Sequence, residues 1–417
     1  MRRVVITGLG CVTPVGNDVP SFWDNLINGR HGFDKISRFD PTGIKVRLAA
    51  EVKGFNPSLY IEKSEIRKTD LYAQYAMAAA SQAVEDSGIA GKADPQRFGV
   101  YMGSGIGGIS TMLAEAQKLA ARGADRISPF FVPMMIANMA SALIAIKYGA
   151  KGPSLPAVTA CSTGTNAVGE AFRAIRYGYA DAIVAGGAEA AINPLALGGF
   201  ANSTALSFSE DPDRCSIPFD RERTGFVMGE GAGALMLEEY GRAVNRGAGV
   251  YCEIIGYGNT NDAYHMTAPA PDGESGARAI ALAFEEAGVR PDEHMYINAH
   301  GTSTLLNDKT ETLAIKKALG GLAYQIPVSS TKSMTGHMLG AAGAVEAVAA
   351  VKALETGIVP PTAGYRCPDP DCDLDYVPNK ARKMEIDKAM SLSFGFGGHN
   401  AGILLSRLDF SREGIWQ

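Results

Sequence analysis

The sequence predicts an α/β fold of two similar halves stacked on each other. Three observations lead there: the chain length, alternating strand and helix patterns, and a set of landmarks that occurs twice in one order. The chain has 417 residues, more than one hydrophobic core usually serves, so two domains or two fused halves are expected. Strand-like and helix-like stretches alternate in both parts, the pattern of sheets covered by helices. The landmarks set the division. Val5-Ile6-Thr7-Gly8-Leu9-Gly10 is echoed by Glu253-Ile254-Ile255-Gly256-Tyr257-Gly258. Phe98-Gly99-Val100-Tyr101-Met102-Gly103-Ser104 is echoed by Met295-Tyr296-Ile297-Asn298-Ala299-His300-Gly301. Pro156-Ala157-Val158-Thr159-Ala160-Cys161 reads as a strand leading into a helix, as Pro327-Val328-Ser329-Ser330-Thr331-Lys332 leads towards a helix beginning near His337. Gly231-Ala232-Gly233-Ala234-Leu235-Met236-Leu237 pairs with Asn400-Ala401-Gly402-Ile403-Leu404-Leu405. The spacing falls from 248 (Gly8 to Gly256) to 176 (Cys161 to His337), so the first half carries extra sequence, including about 109–135. The halves are expected at 1–248 and 249–417. Chance likeness among glycine-rich turns is the rival explanation, and the shared order of four landmarks tells against it.

The opening Met1-Arg2-Arg3-Val4-Val5-Ile6 matches a secretion signal only briefly; Gly8 and Gly10 arrive before an apolar region develops. An opening strand and turn, and a cytoplasmic location, are therefore expected. After Cys161, residues Val168, Ala171, Phe172 and Ile175 form one apolar stripe at helical spacing. From His337 to Leu354 the chain is nearly all Gly, Ala and Val around Glu346, which suits a helix buried on most sides. No run reaches the roughly 18 apolar residues of a membrane span.

Composition excludes several classes. With 46% hydrophobic and 20% charged residues the chain is globular. A net charge of −5 and no dense basic tract argue against nucleic-acid binding, which draws its affinity from phosphate neutralisation. The six cysteines (11, 161, 215, 252, 367 and 372) show no zinc spacing, and no histidine lies near the Cys367–Cys372 loop, which reads as plain surface. No metal is expected, and most thiols should be small buried hydrophobes.

Cys161 is different, because it stands at a strand-to-helix elbow among polar neighbours, Thr159-Ala160-Cys161-Ser162-Thr163-Gly164. Helix N-termini lower a thiol's pKa and can donate N–H groups to an oxyanion. His300 ends a strand in Asn298-Ala299-His300-Gly301-Thr302, and His337 heads the Gly/Ala helix. Either alone reads more readily as a satisfied core histidine than as a catalyst; their position on the strand-end edge shared with Cys161 favours a site. Lys332 lies on that edge with Glu346 as its partner, an ordinary surface ion pair being the alternative. Ser393-Phe394-Gly395-Phe396-Gly397-Gly398-His399 is either a movable plug beside a pocket or a tight turn with a core aromatic. Gly103-Ser104-Gly105-Ile106-Gly107-Gly108 fails the dinucleotide spacing.

Four of these blocks together, Thr159–Gly164, His300-Gly301-Thr302-Ser303-Thr304, Lys332-Ser333-Met334-Thr335-Gly336-His337 and Phe394-Gly395-Phe396-Gly397-Gly398, resemble the signature blocks of β-ketoacyl-acyl-carrier-protein synthases, from Val4 to about Leu408. The resemblance implies the thiolase-like fold, two similar halves in a five-layered α-β-α-β-α sandwich, and a homodimer. It implies a decarboxylative Claisen condensation in which Cys161 carries the acyl chain and malonyl-acyl-carrier-protein supplies the carbanion. By the same likeness the N–H groups of Cys161 and Phe396 form an oxyanion hole, and His300 and His337 donate to the malonyl thioester. Lys332 orients this arrangement with Glu346 in support, and Thr302 and Thr304 contact phosphopantetheine. No resident cofactor is implied, since phosphopantetheine arrives on the acyl carrier protein. Ile106 matches a position where type II elongation enzymes usually carry Ile and type I Gly, so the likeness leans to synthase II. Ile106 and Phe200 would line the acyl pocket and Phe394 the substrate side. Lys63, Arg67, Lys68 and Arg126 match carrier-docking patches, with a solvated charged face as the rival. Leu305-Leu306 and His399 depart from the commoner pattern, which puts the shape of the second-substrate side in doubt. A type II polyketide ketosynthase shares all these features. A non-catalytic chain-length partner would lack Cys161, and a degradative thiolase would need a second, C-terminal Cys.

Overall fold

The computed structural model describes residues 1–408; residues 409–417 of the expected second half lie outside them. Nine principal strands form one sheet: β1 (Val4–Val12), β2 (Phe98–Gly103), β3 (Ala182–Glu189), β4 (Gly231–Glu239), β5 (Cys252–Asn261), β6 (Met295–Asn298), β7 (Val328–Ser329), β8 (Lys388–Gly395) and β9 (His399–Ser406). Their order is β2-β3-β4-β1-β5-β9-β8-β6-β7. Pairing is parallel between β2 and β3 and antiparallel from β3 through β8; it is parallel again through β6 to β7. Read outward from the β1–β5 pair the order repeats, with β1 matched by β5, β4 by β9, β3 by β8 and β2 by β6, and β7 answered on the other edge by residues 152–155. The halves meet along a short β1–β5 seam that pairs Val4 with Ile254 and Ile6 with Cys252.

The two halves of this sheet lie on either side of the central helices as two layers, and helices supply three further layers. The helix α1 (Leu71–Ser87) packs on β1, β3 and β4 of the first half, and α2 (Ile109–Arg122) lies in the extra sequence. Between the halves lie α3 (Thr163–Arg176), which contacts β3, and α6 (Ala342–Thr356), which contacts β4 and β8 and packs against α3. On the far side α4 (Glu274–Ala287) covers β5 and β9 and packs against α5 (Leu305–Leu319). This is the five-layered α/β sandwich. The central position explains why α3 buries far more than its Val168–Ile175 stripe, Thr163 through Gly169 included: it has one half of the sheet on each side. Helix α6 is buried along nearly its whole length for the same reason.

Two local expectations are corrected. The segment before Cys161 is strand-like only over residues 152–155, where Gly152 N–H donates to Phe98 O, Pro153 O accepts from Val100 and Leu155 donates to Val100 O. Pro153 and Pro156 bring no N–H, so the ladder stops well short of the cysteine. The second helix starts at Ala342 and not near His337, because Gly336 (φ 67°) ends a short turn at Lys332–Thr335 and Leu339 (φ 46°) reverses the chain again. Ala160 (φ 50°) makes the same left-handed step before a single 3₁₀ turn, Ala160–Ser162, just as Leu339 precedes the turn Leu339–Ala341. The structural counterpart of Cys161 is therefore Gly340, and the landmark spacing there is 179 (161 to 340). The two elbows face each other. A Cβ on Gly340 would stand 2.4 Å from Gly105 N, so only glycine fits.

Five of the six cysteines are buried and all six are free, with Cys367 half-buried. Cys372 is a core residue packed in the cluster with Phe219 and Tyr376, so the plain-surface expectation holds for neither thiol in full. Asp220, Glu222 and Cys367 bring ligand atoms together, but Asp220 is already engaged by Arg214 and the N–H groups of Arg366 and Cys367. Among the described residues, no helix is long and apolar enough to cross a membrane.

Candidate active site

Three chain segments converge on one cavity of about 460 Å³. The first is the Cys161 elbow. Cys161 is 7% exposed and looks into the cavity from the turn that starts α3. Ser162 Oγ donates to His399 O at 2.7 Å and to Ser393 O at 3.2 Å, which fastens the elbow to the β8–β9 hairpin. That hairpin is the glycine-rich segment of the sequence: Gly395 pairs with His399, so Phe396 to Gly398 form a tight turn. The backbone N–H groups of Phe396 and of Cys161 itself both act on the sulfur in the pKa-lowering direction, as does the Lys332 charge. Burial outweighs them and pushes the thiol up to about 12, against the depressed value expected from a helix N-terminus.

Cys161 thus rests as a thiol at neutral pH, and reaction at its sulfur follows the thiolate fraction. Alkylation by iodoacetamide is expected to rise about tenfold per pH unit from about pH 7 to 10 without levelling. A plateau near neutrality would show instead that the sulfur is already ionised.

The second segment carries His300, two residues beyond β6. Its loop is held from behind by the first turns of α5. Glu311 accepts from His300 N and Gly301 N, both at 2.7 Å, and Asp308 accepts from Thr302 N at 3.0 Å. Burial raises Asp308 and pushes Glu311 up to about 8. Neither carboxylate was singled out from the sequence. The available signal was two acids at i and i+3 just inside a helix start, facing the loop that precedes it. Thr302 and Thr304 share a hydroxyl contact at 2.9 Å on the cavity wall.

The third segment runs from Lys332 to His337. Lys332 and Glu346 form a fully buried ion pair, each side chain 1% exposed, so the surface-pair alternative is excluded. Lys332 Nζ also donates to His300 O at 2.6 Å, fixing the strand end that carries the imidazole. His337 N–H donates to Val227 O at 2.8 Å, and its ring stands edge-on to His300 at 5.3 Å and to Phe226 at 5.0 Å. Both Nδ1 atoms are buried without a hydrogen-bond partner, and both residues line the cavity. Burial and the Lys332 charge hold both imidazoles well below their ordinary pKa, so they are neutral near pH 7. Neutral imidazole keeps one N–H to donate.

Of the residues expected at the site, Cys161, His300, His337, Thr302, Thr304, Phe200, Phe394 and Phe396 line this cavity, and Leu305 and Leu306 stand at its exposed rim. Ile106 does not line it. It sits 37% exposed on the loop after β2, where its N–H donates to a buried carboxylate, Glu189, at 3.2 Å. Lys63, Arg67 and Arg126 are exposed, outside the cavity lining, while Lys68 bonds Glu65 at 2.7 Å and lies 5.6 Å from the Phe130 ring. The Phe130 contact brings the short helix Lys63–Ile66 and the two basic residues after it beside the Arg126 segment.

Comparison with known proteins gives consistent matches. Residues 1–243 match the model of the beta-ketoacyl synthase N-terminal domain and residues 251–366 that of its C-terminal domain. The 3-oxoacyl-[acyl-carrier-protein] synthase 2 of Synechocystis is 50% identical over 408 residues, 97% of this chain and 98% of that protein. The protein of that name from Staphylococcus aureus (strain COL) is 49% identical over 98% of this chain and 99% of its own. Among solved structures, a beta-ketoacyl synthase from Burkholderia phymatum superposes with a TM-score of 0.91 at 34% identity, covering 98% of this chain and all (100%) of its own. The ketosynthase of AntDE, solved with the type II polyketide acyl-carrier protein AntF and a hexaketide, gives 0.90 at 38% identity, covering 98% and 100%.

Proposed function

We propose, from the premise that this chain belongs to the beta-ketoacyl synthase family, that it extends fatty-acyl chains as a 3-oxoacyl-acyl-carrier-protein synthase of the synthase 2 type. The observation that carries the reading is a buried thiol and two neutral imidazoles facing one cavity. The thiol fits the first half of the reaction. Cys161 sulfur attacks an acyl thioester, the carrier's thiolate leaves and takes the proton, and an acyl-Cys161 thioester remains. The oxyanion formed on the way is met by the Phe396 and Cys161 N–H groups. In the second half malonyl-acyl-carrier-protein loses carbon dioxide, and the electron pair of the broken bond becomes a carbanion equivalent. His300 and His337 donate N–H to its thioester oxygen. The carbanion then attacks the acyl carbon, the C–S bond to Cys161 breaks with its electron pair passing to sulfur, which takes up a proton from solvent to restore the thiol, and 3-oxoacyl-acyl-carrier-protein leaves. Lys332 and Glu346 position His300; Thr302 and Thr304 meet the phosphopantetheine arm; Phe200 and Phe394 bound the acyl side. Atoms balance without a metal or resident cofactor. Identity to the synthase 2 relatives exceeds that to the polyketide ketosynthase, which favours the fatty-acid reading.

The test is mass spectrometry of the intact enzyme after incubation with a panel of acyl-acyl-carrier-proteins. One acyl mass added at Cys161 is expected; no adduct with any chain length would sink the reading.

Carrier recognition is assigned to Lys63, Arg67, Lys68 and Arg126, because an acidic enzyme needs a local positive face to meet an acidic carrier. The double reversal R67E and K68E is expected to raise the apparent KM for acyl-carrier substrates about tenfold with kcat little changed. An unmoved KM removes this assignment.

We also read the enzyme as a cytoplasmic homodimer. Support for the dimer comes from the free edge beyond β2. Residues 152–159 run along it with Leu155 48% and Val158 55% exposed, and nearby Ile146 is 75% exposed. Its counterpart β7 is instead covered, Val328 N–H donating to Asp375 O. An uncovered apolar edge is the usual mark of a partner.

A further inference from the structure

Glu189 ends β3 with no exposed surface, and its partners are all neutral donors. One oxygen, Oε1, accepts from Ser104 Oγ at 2.9 Å and Ile106 N at 3.2 Å. The other, Oε2, accepts from Gly105 N at 2.9 Å and Gly340 N at 3.1 Å. The carboxylate therefore clamps the loop after β2 to the elbow that faces Cys161. A Cβ on Gly105 would stand 2.7 Å from Glu189 Oε2, so the loop is shaped around this group. The loop also leans on the nucleophile's own elbow, since that Cβ position is 3.4 Å from Ala160 O. Three residues past Ile106, Ile109 packs against the apolar cluster of Cys161, Ala191, Ile192, Leu197 and Leu339. An acyl chain on Cys161 must lie among such groups. For forming thiolate, the acid is a hindrance: its charge acts to raise the Cys161 pKa. A group that opposes ionisation yet is bound by four donors has a geometric task.

We propose that Glu189 is a specificity-determining positioning residue, which fixes the Ile109 side of the acyl pocket beside Cys161 by holding the Ile106 backbone three residues before it. This inference rests on the acyl-transfer reading above. The variant E189Q isolates it. An amide has one acceptor oxygen. If its NH₂ faced Gly105 N and Gly340 N, two backbone donors would be left unmet. If it faced Ser104 and Ile106, the serine hydroxyl could turn and accept, and only the Ile106 N–H would lose its partner. The second orientation costs less, so the lesion falls at Ile106 while the Gly340 elbow, three residues from His337, keeps its bond.

The experiment measures Cys161 acylation from butyryl- and myristoyl-acyl-carrier-protein by intact mass, with malonyl decarboxylation measured in parallel. E189Q is expected to change the long-to-short ratio by about tenfold, the equivalent of one buried hydrogen bond, and to leave decarboxylation within about twofold. An equal loss in all three rates would mark a merely structural residue and overturn the proposal, as would an unchanged ratio. Should E189Q fail to fold, S104A, which removes the hydroxyl donor to Oε1 and the acceptor of the Gly107 N–H on the same loop, is read by the same ratio. A shift of about threefold is then expected, and none overturns the proposal. Wild-type enzyme that takes no acyl group would instead sink the functional reading, so the two failures are distinguishable.

Discussion

Replacing Cys161 by alanine is expected to abolish acyl transfer and lower condensation by on the order of 10⁴-fold or more, the usual consequence of removing a covalent nucleophile. No second thiol can stand in. Cys161 is the cysteine that lines the cavity; Cys11, Cys215, Cys252 and Cys372 are core residues and Cys367 lies in a separate loop. The imidazoles do not depend on the sulfur for their placement. His300 is held through Lys332 and Glu311, and His337 through Val227, so the half-reaction on the malonyl side should outlast the loss. Cys161→Gln sharpens the separation, since a neutral amide carbonyl stands where the acyl thioester would. It is expected to decarboxylate malonyl-acyl-carrier-protein while making no 3-oxoacyl product. Product formation by the alanine variant above background would bring down the whole mechanism.

The second large effect lies behind the site. Glu346→Ala leaves the Lys332 ammonium buried with a single carbonyl partner, and breaking a buried pair from one side costs about 3–5 kcal/mol of stability. Urea unfolding reads this directly; a loss below about 1 kcal/mol would mean that water or another group reaches Lys332. Activity should fall as well, because Lys332 Nζ also holds the His300 carbonyl. The double variant K332M and E346L separates the two effects. Apolar groups of similar size often match a buried ion pair in stability, so folding should largely return. Condensation should not, since the His300 carbonyl then loses its Lys332 bond and only the Glu311 side of the loop stays fixed.

Much of this was legible in the sequence, for physical reasons. Cys161, His300, His337 and the Phe394–Gly398 segment each sit at an abrupt change of backbone pattern, and such breaks leave a mark in the residues around them. Lys332 and Glu346 were readable because a charge amid Gly, Ala and Val demands a partner. What escaped were groups whose work is done on backbone atoms. Glu189, Asp308 and Glu311 accept from N–H groups brought close by folding, and an N–H leaves no trace in the letter that carries it. The counterpart of Cys161 was misplaced by three residues for a similar reason. His337 drew the eye as a reactive side chain, whereas the true equivalent, Gly340, has none. The thiol's direction of titration was missed because burial depends on the second half of the chain closing over the first.

That glycine has a consequence for how such a molecule can be built. The sheet repeats itself end for end, and the two elbows come face to face where the halves meet, with Gly340 against Gly105 and a Cβ at Gly164 only 2.5 Å from Ala344 N. Near an axis of approximate two-fold symmetry there is room for one side chain and not for its mirror partner. A chain of this design can carry one nucleophile, and the half that gives up its own supplies the floor on which the other reacts.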